Sequence, residues 1–248
     1  MHRTVLTCLF ATLLLVFAPG CDSTPETQAD DEPTEQTVQQ DDEAAAPAEI
    51  DELDEETRQA ALTDPDKVTD RAPDEYQVRF ETTQGEFTVA VNRQWAPNGA
   101  DRFFNLVRIG YYDDIAFFRV IDGFMAQFGI HGDPEVNEVW RTAEIEDDQV
   151  NRSNERGKVT FATRGPNTRT TQLFINLTDN PDLDAMGFSP IGEVVDGMDV
   201  VERLYSGYGE GAPEGDGPDQ QRAQQEGNDY LKAEFESLDW TTDVSIVQ

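Results

Sequence analysis

Hydrophobic and polar residues alternate in two short runs, the first of which begins at Tyr76. The first run is YQVRF, at residues 76–80, and the second is FTVAV, at residues 87–91. A period of two residues is typical of a β-strand that buries one face. The intervening TTQGE contains Gly85, a residue suited to a tight turn, so the two runs predict a β-hairpin.

The spacing becomes helical after this hairpin. In PNGADRFFNLVRIG, at residues 97–110, apolar residues recur every three or four positions, and a glycine stands where the helix would end. Further strands are predicted at IAFFRVI, GKVTFAT, TQLFINL, SPIGEVV and TDVSIVQ, and a second helix at GMDVVERLY. Two amphipathic helices among many short strands, without β–α alternation, favour an antiparallel barrel or sandwich with helices on its ends.

The first 21 residues have the pattern of an export signal. A short basic start, MHRT, is followed by the apolar VLTCLFATLLLVFA and then by APGC. The apolar run suits a signal peptide and is short for a membrane span, which needs about 20 residues. Residues 18–21 resemble a bacterial lipobox, which predicts an exported protein of the cell envelope or periplasm, anchored to the membrane only through lipidated Cys21. The alternative is an ordinary cleaved signal with an incidental cysteine.

Residues 22–75 are rich in Asp, Glu, Pro, Gln and Thr and contain few large apolar side chains. Such a segment cannot bury a core. We therefore expect a disordered acidic linker, with at most a brief helix at EIDELDEETRQAAL, before a domain that spans residues 76–248. The whole chain has a net charge of -33, which argues against nucleic acid as a partner. This acidic, lysine-poor composition also resembles that of proteins from salt-loving organisms.

Few side chains could serve as a nucleophile, a base or a metal ligand. The only cysteines are Cys8 and Cys21, and His131 is the only histidine after the signal. A zinc site of His and Cys is therefore excluded once the signal is removed, and His131 is expected to pack in a loop. The glycine-rich GYGEGAPEGDGPDQ lacks the Gly-Lys-Ser/Thr of a phosphate loop and is expected to be plain loop. EIEDDQ lacks the spacing of a calcium loop, so no metal is expected.

One stretch remains distinctive, because FFRVIDGFMAQFG, at residues 117–129, sets a single arginine among aromatic side chains. It is followed by VTFATRGPNTRTTQLFIN at residues 159–176 and by LDAMGFSPIGEVVDGMDVVE at residues 183–202. In content, order and spacing the three blocks resemble the cyclophilin family of peptidyl-prolyl cis-trans isomerases. The resemblance covers residues 76–248. It implies a mainly β fold, a closed eight-stranded antiparallel β-barrel capped by two α-helices.

The resemblance also implies the site residues. Arg119 matches the catalytic arginine of the family, which hydrogen-bonds near the prolyl nitrogen and carbonyl, and Gln127 matches the glutamine that orients it. The implied substrate-binding residues are Phe124, Met125, Ala162, Thr163, Gln172, Phe174, Leu183 and Phe188. The implied partner is a proline-containing segment of an unfolded or folding protein, bound by a monomer. No cofactor is expected, because rotation about a peptide bond breaks no covalent bond.

This chain departs from the family pattern around the pocket. Phe118 and Phe188 stand where histidines are frequent, and Thr163 where asparagine is common. Asp182 replaces a rim tryptophan that contacts cyclosporin, so weak binding of cyclosporin is expected. Two other functions are considered: a proline-peptide-binding chaperone module with little or no turnover, and a small-ligand barrel of the lipocalin type. The second does not account for the three blocks.

Overall fold

One antiparallel sheet organises residues 53–247, the part of the chain that the computed structural model describes. Its strands are β1 (Glu75–Thr82), β2 (Gly85–Asn92), β3 (Arg119–Ile121), β4 (Met125–Phe128), β5 (Lys158–Phe161), β6 (Leu173–Asn176), β7 (Pro190–Asp196) and β8 (Thr241–Val247). The helices are α1 (Glu55–Leu62), α2 (Pro97–Arg108), α3 (Pro134–Trp140), α4 (Asp182–Ala185), α5 (Met198–Val201) and α6 (Gln220–Glu234). The predicted signal peptide with Cys21, and the linker up to residue 52, lie outside the described residues.

The predicted hairpin is confirmed by the pairing of β1 with β2. Tyr76 lies opposite Val91, and Phe80 lies opposite Phe87. The alternating apolar residues of both strands face the core, where the rings of Phe80 and Phe87 stack with their centroids 4.7 Å apart. The two-residue period thus puts one face of each strand into the barrel and leaves the other nearer solvent.

The eight strands follow the order β3-β4-β6-β5-β7-β2-β1-β8, and every pairing is antiparallel. The segments just before the two end strands also meet, because Ala116 forms an isolated antiparallel bridge with Trp240. The N–H of Phe117 donates to the carbonyl of Asp239 at 3.0 Å next to this bridge. These contacts join the ends of the sheet and agree with the predicted eight-stranded antiparallel barrel.

Helix α2 buries one face in the core of the barrel, as its spacing predicts. Phe103, Phe104 and Leu106 are buried in the main hydrophobic core. The residue before the helix is Ala96, which has no side chain able to cap the first N–H groups. The carboxylate of Asp148 supplies this cap from a distant loop, since it accepts hydrogen bonds from the N–H groups of residues 98 and 99 at 3.0 and 2.9 Å.

The structure adds helices to the two that the pattern predicts. The second predicted helix is present only as the four residues of α5, whereas the fifteen-residue α6 follows the glycine-rich segment and is not predicted. At Gly227 the backbone of α6 has φ 62°, and the next N–H, of Asn228, donates to the carbonyl of Gly132 at 2.9 Å. Among residues 53–247, none of the helices combines the length and the hydropathy needed to span a membrane.

The composition of residues 22–75 predicts a disordered linker, and for residues 53–75 this prediction is wrong. The brief helix expected there is present as α1. Ala61 in this helix, and Val68 and Ala72 after it, are buried in the main core. The indole N–H of Trp140 donates to the carbonyl of Leu62 at 2.9 Å. A few small apolar residues are therefore enough to pack this acidic segment, because the barrel already provides an apolar surface for them.

Candidate active site

All of the residues that the sequence predicts for the site line one pocket of about 680 Å³. These residues are Arg119, Phe124, Met125, Gln127, Ala162, Thr163, Gln172, Phe174, Leu183 and Phe188. They come from the β3–β4 hairpin, the end of β5, the start of β6 and the α4 segment. The barrel therefore assembles residues from all three sequence blocks at one place on its surface.

Arg119 and Gln127 face each other because they are paired residues of the β3–β4 hairpin. An Nη1–H of Arg119 donates to Oε1 of Gln127 at 3.0 Å. The Gln127 amide in turn donates through Nε2 to Oε1 of Gln172 at 2.8 Å. The Arg119 side chain is 21% exposed, so the guanidinium stays at the pocket wall with part of its surface open. This chain of hydrogen bonds fixes the direction in which the guanidinium points.

Apolar side chains form the floor of the pocket next to Arg119. Met125 and Phe174 are buried, and the ring of Phe174 meets that of Phe188 edge-on with centroids 5.7 Å apart. The guanidinium carbon of Arg119 lies 6.0 Å from the centroid of Phe124. Such a floor favours an apolar ring, and its low polarity strengthens hydrogen bonds from the neighbouring cation.

The groove beside this floor lies just beyond the end of β5 and the start of β6. The N–H of Ala162 donates to the carbonyl of Gln172 at 2.9 Å, which extends the strand pairing to the pocket edge. The hydroxyl of Thr163 contacts the carbonyl of Gly165 and the hydroxyl of Thr168. Where the family often has asparagine, the threonine thus braces its own loop.

The departures from the family pattern fall into two groups. Phe118 does not line the pocket, because it is buried in a second apolar cluster that includes Ala223, Tyr230 and Leu231 of α6. Asp182 is exposed at the start of α4 and does not line the pocket either. Phe188 does line it and adds apolar surface. Phe118 therefore packs against α6 and does not contribute to the pocket.

His131, expected to pack in a loop, does so away from the pocket. Its Nδ1 accepts a hydrogen bond from the N–H of Asp133 at 3.0 Å, and its ring lies 5.1 Å from that of Tyr111. Burial lowers the pKa of this imidazole, against the opposing charge of Asp133. His131 therefore packs in the loop that precedes α3.

Glu210 is a site residue that the sequence does not reveal. It lies in the glycine-rich segment expected to be plain loop, and its two carboxylate oxygens accept hydrogen bonds from Nε and Nη2 of Arg119, both at 2.6 Å. These hydrogen bonds from Arg119 lower the pKa of the Glu210 carboxyl. Gln220, Gln221 and Gln224 of α6 line the same side of the pocket. Acidic residues are so numerous in this chain that no charge pattern singles out Glu210.

Comparison with known proteins gives a consistent result. The family described as cyclophilin type peptidyl-prolyl cis-trans isomerase/CLD matches residues 77–235. Peptidyl-prolyl cis-trans isomerase B of Escherichia coli (strain K12) is 34% identical over 136 residues, which cover 51% of this chain and 82% of that protein. The human peptidyl-prolyl cis-trans isomerase-like 3 is 33% identical over 133 residues, which cover 51% of this chain and 80% of that protein.

Solved structures agree on the fold. The crystal structure of a Cryptosporidium parvum cyclophilin type peptidyl-prolyl cis-trans isomerase aligns with a TM-score of 0.50 and 21% identity, and covers 70% of this chain and 98% of its own. At this identity the likeness concerns the fold alone. The family match, however, extends from β1 to the end of α6 and includes every residue that lines the pocket; of the strands, only β8 lies beyond it. The chain belongs to the cyclophilin family of peptidyl-prolyl cis-trans isomerases.

Proposed function

We propose that this cyclophilin accelerates rotation of X-Pro bonds without covalent chemistry, with Arg119 as the catalytic donor. The proline ring occupies the apolar floor at Phe124, Met125 and Phe174, and the peptide backbone follows the groove at Ala162. Arg119 then donates hydrogen bonds near the prolyl nitrogen and carbonyl. The observation that supports this most directly is the Gln172–Gln127–Arg119 chain, which orients a cation at the edge of an apolar pocket.

The energetic demand of the reaction suits this small set of groups. Resonance in the C–N bond gives rotation a barrier of about 18–20 kcal/mol, and uncatalysed X-Pro exchange takes roughly tens to hundreds of seconds. A turnover of roughly 10–1000 per second requires an acceleration of about 10³–10⁵, or ~4–7 kcal/mol. One well-placed donor in a water-poor site supplies about 2.7–4 kcal/mol. Differential binding of the twisted peptide can supply the remainder.

The oriented arginine favours catalysis over passive binding. A groove that only held proline-containing segments would need apolar surface and backbone hydrogen bonds, but no cation held by a specific glutamine. Arg119 provides several donors on a rigid plane, which suits a site where a lone pair develops on nitrogen in the transition state. The chaperone-module alternative therefore predicts little or no turnover, and peptide binding that tolerates the loss of Arg119.

The test measures cis–trans exchange of an Ala-Pro peptide by NMR at low and high salt. The variants are Arg119→Ala, Arg119→Lys, which keeps the charge but loses the planar fork, and Arg203→Ala, a half-exposed arginine outside the pocket, as a control. Arg119→Ala should lower kcat/KM about 10²–10³-fold, as loss of one transition-state donor does. Arg119→Lys should recover only part of that loss, and Arg203→Ala none. Peptide binding without catalysis by the wild type would support the chaperone module instead.

We also propose that the protein is exported and held on the membrane by lipidated Cys21, so that its substrates are proteins folding in the cell envelope. The support is the order of basic, apolar and lipobox-like segments in residues 1–21. The net charge of -33 disfavours nucleic acid as a partner. The domain is proposed to act as a monomer. Metabolic labelling with a radioactive fatty acid tests the anchor. Label should enter the wild type and be absent from Cys21→Ser, whereas equal labelling of both would refute it.

A further inference from the structure

The bidentate contact between Glu210 and Arg119 is not explained by binding of proline. Both carboxylate oxygens of Glu210 are engaged, at 2.6 Å from Nε and 2.6 Å from Nη2. Oε1 also accepts the N–H of Gly211 at 3.0 Å. The Glu210 side chain is 39% exposed and forms part of the pocket wall. The two residues are 91 positions apart, so only the fold brings them together.

The loop that carries Glu210 is folded tightly onto itself. The N–H of Gly217 donates to the carbonyl of Glu210 at 2.8 Å, and the N–H of Ala212 donates to the carbonyl of Gly217 at 3.1 Å. A Cβ at Gly215 or Gly217 would collide with that same carbonyl of Glu210. The glycines thus permit a compact turn that presents one carboxylate at a defined place.

The contact with Glu210 leaves some N–H donors of Arg119 available for a substrate. A guanidinium has five N–H donors. Glu210 takes one on Nε and one on Nη2, and Gln127 takes one on Nη1. The second Nη1–H meets only a weak acceptor, Met125 Sδ at 3.8 Å. The second Nη2–H has no acceptor among the described residues. Two donors therefore remain for a substrate, and the 680 Å³ pocket is open while the ion pair is formed.

We propose that Glu210 is a positioning residue which, opposite Gln127, clamps Arg119 so that its two remaining N–H groups point at the bound X-Pro bond. The inference rests on the proposed catalytic role of Arg119. A side chain held from both sides loses little conformational freedom when the transition state forms, and its donors need no reorganisation. Glu210 does not block the site, because its oxygens occupy the Nε edge of the guanidinium. The hydrogen bonds from Arg119 lower the pKa of the Glu210 carboxyl, which favours the carboxylate that accepts them.

The test uses the full chain and compares Glu210→Ala, Glu210→Gln and the loop control Glu214→Ala, whose carboxylate is exposed and outside the pocket. Steady-state kcat and KM are measured with an Ala-Pro peptide. Glu210→Ala should lower kcat about tenfold with little change in KM, because a misdirected donor weakens the transition state more than ground-state binding. Glu210→Gln retains an acceptor and should recover part of the loss. Glu214→Ala should match the wild type.

A second readout does not depend on activity. The Nε–H resonance of Arg119, assigned by its absence in Arg119→Ala, should shift and exchange faster with water in Glu210→Gln and Glu210→Ala than in the wild type. In the Arg119→Ala background, Glu210→Ala should have no further effect on kcat, because the two residues act as a unit. Thermal unfolding of each variant checks that the fold is retained.

The outcomes separate the two proposals. If Arg119→Ala loses activity but Glu210→Ala is as active as the wild type, the ion pair is incidental and the positioning role is wrong. If Glu210→Ala is more active, Glu210 restrains the site and the positioning role is again wrong. If Arg119→Ala is as active as the wild type, the proposed mechanism itself fails, and the role of Glu210 with it. Should Glu210→Ala not fold, the kinetics of Glu210→Gln and the Nε–H resonance decide.

Discussion

Neutralising Asp148 is expected to destabilise the fold strongly. Its side chain is 4% exposed and pairs with Arg169, itself 3% exposed, at 3.0 Å. The same carboxylate accepts the N–H groups of residues 98 and 99 at the start of α2. In Asp148→Asn the new amide group would turn donors toward N–H groups that need an acceptor. The change thus removes a helix cap and leaves a buried cation with less compensation.

The size of the effect follows from these contacts. Breaking a buried ion pair by removing one partner costs about 3–5 kcal/mol, and loss of a helix cap costs about 0.5–2 kcal/mol. Arg169 keeps two other contacts, with the carboxylate of Asp147 at 3.5 Å and with the carbonyl of Glu146. We therefore expect Asp148→Asn to lower the free energy of unfolding by about 3 kcal/mol, toward the low end for such pairs.

Urea unfolding of Asp148→Asn and Asp147→Asn compares how much each of these adjacent aspartates contributes to the free energy of unfolding. The Asp147 side chain is 38% exposed, so its pair with Arg169 should be worth only about 0–1 kcal/mol. For a domain of this size Tm should fall by about 6–12 °C in Asp148→Asn, at roughly 2–4 °C per kcal/mol. Equal losses of unfolding free energy in both variants, or a loss below about 1 kcal/mol in Asp148→Asn, would contradict the argument that burial strengthens the contribution of the Asp148–Arg169 pair.

Other consequences of the structure can be measured directly. A chain that starts at Tyr76 should unfold at a lower urea concentration than one that starts at residue 53. The reason is that the indole N–H of Trp140 loses its carbonyl partner, at a cost of about 1–3 kcal/mol. Equal unfolding midpoints would contradict the packing of residues 53–75. Burial lowers the pKa of His131 below its unfolded value, so the neutral form is favoured in the fold; its contribution to stability is complete above about pH 6.5 and is lost as the pH falls below that. Unfolding free energies at pH 7.5 and 5.5 should thus differ less in His131→Gln than in the wild type, and an unchanged difference would refute this. Because Asp182 is exposed where the family has a rim tryptophan, cyclosporin should inhibit weakly, and submicromolar inhibition would contradict that expectation.

The predictions that held depend on local pattern or on the cyclophilin resemblance. The alternation in residues 76–91 predicts the hairpin because a strand that buries one face must repeat every two residues. The helical spacing of residues 97–110 predicts α2 for the corresponding reason. The site residues follow from the three blocks, and the structure brings them to one pocket; their catalytic roles stay predictions.

The features that the sequence misses have weak local signals. Helix α6 is polar and is interrupted at Gly227, so its pattern does not stand out, and its position depends on contacts with residues 114 and 132. Residues 53–75 resemble a disordered segment in composition, and they are ordered because the core offers an apolar surface to Ala61 and Val68. In both cases the stabilising partner lies far away in sequence.

The sequence by itself determined the strand and helix periods of the barrel, the family and ten of the residues that line its pocket. Only the tertiary structure decided that Asp148 caps α2, that the acidic segment before the barrel packs, and that Glu210 pairs with Arg119. The physical reason is that periodicity records which face of an element is buried, whereas an ion pair between residues 91 positions apart depends on how loops close over the barrel. In a chain with 51 acidic residues, composition cannot indicate which carboxylate will meet the arginine.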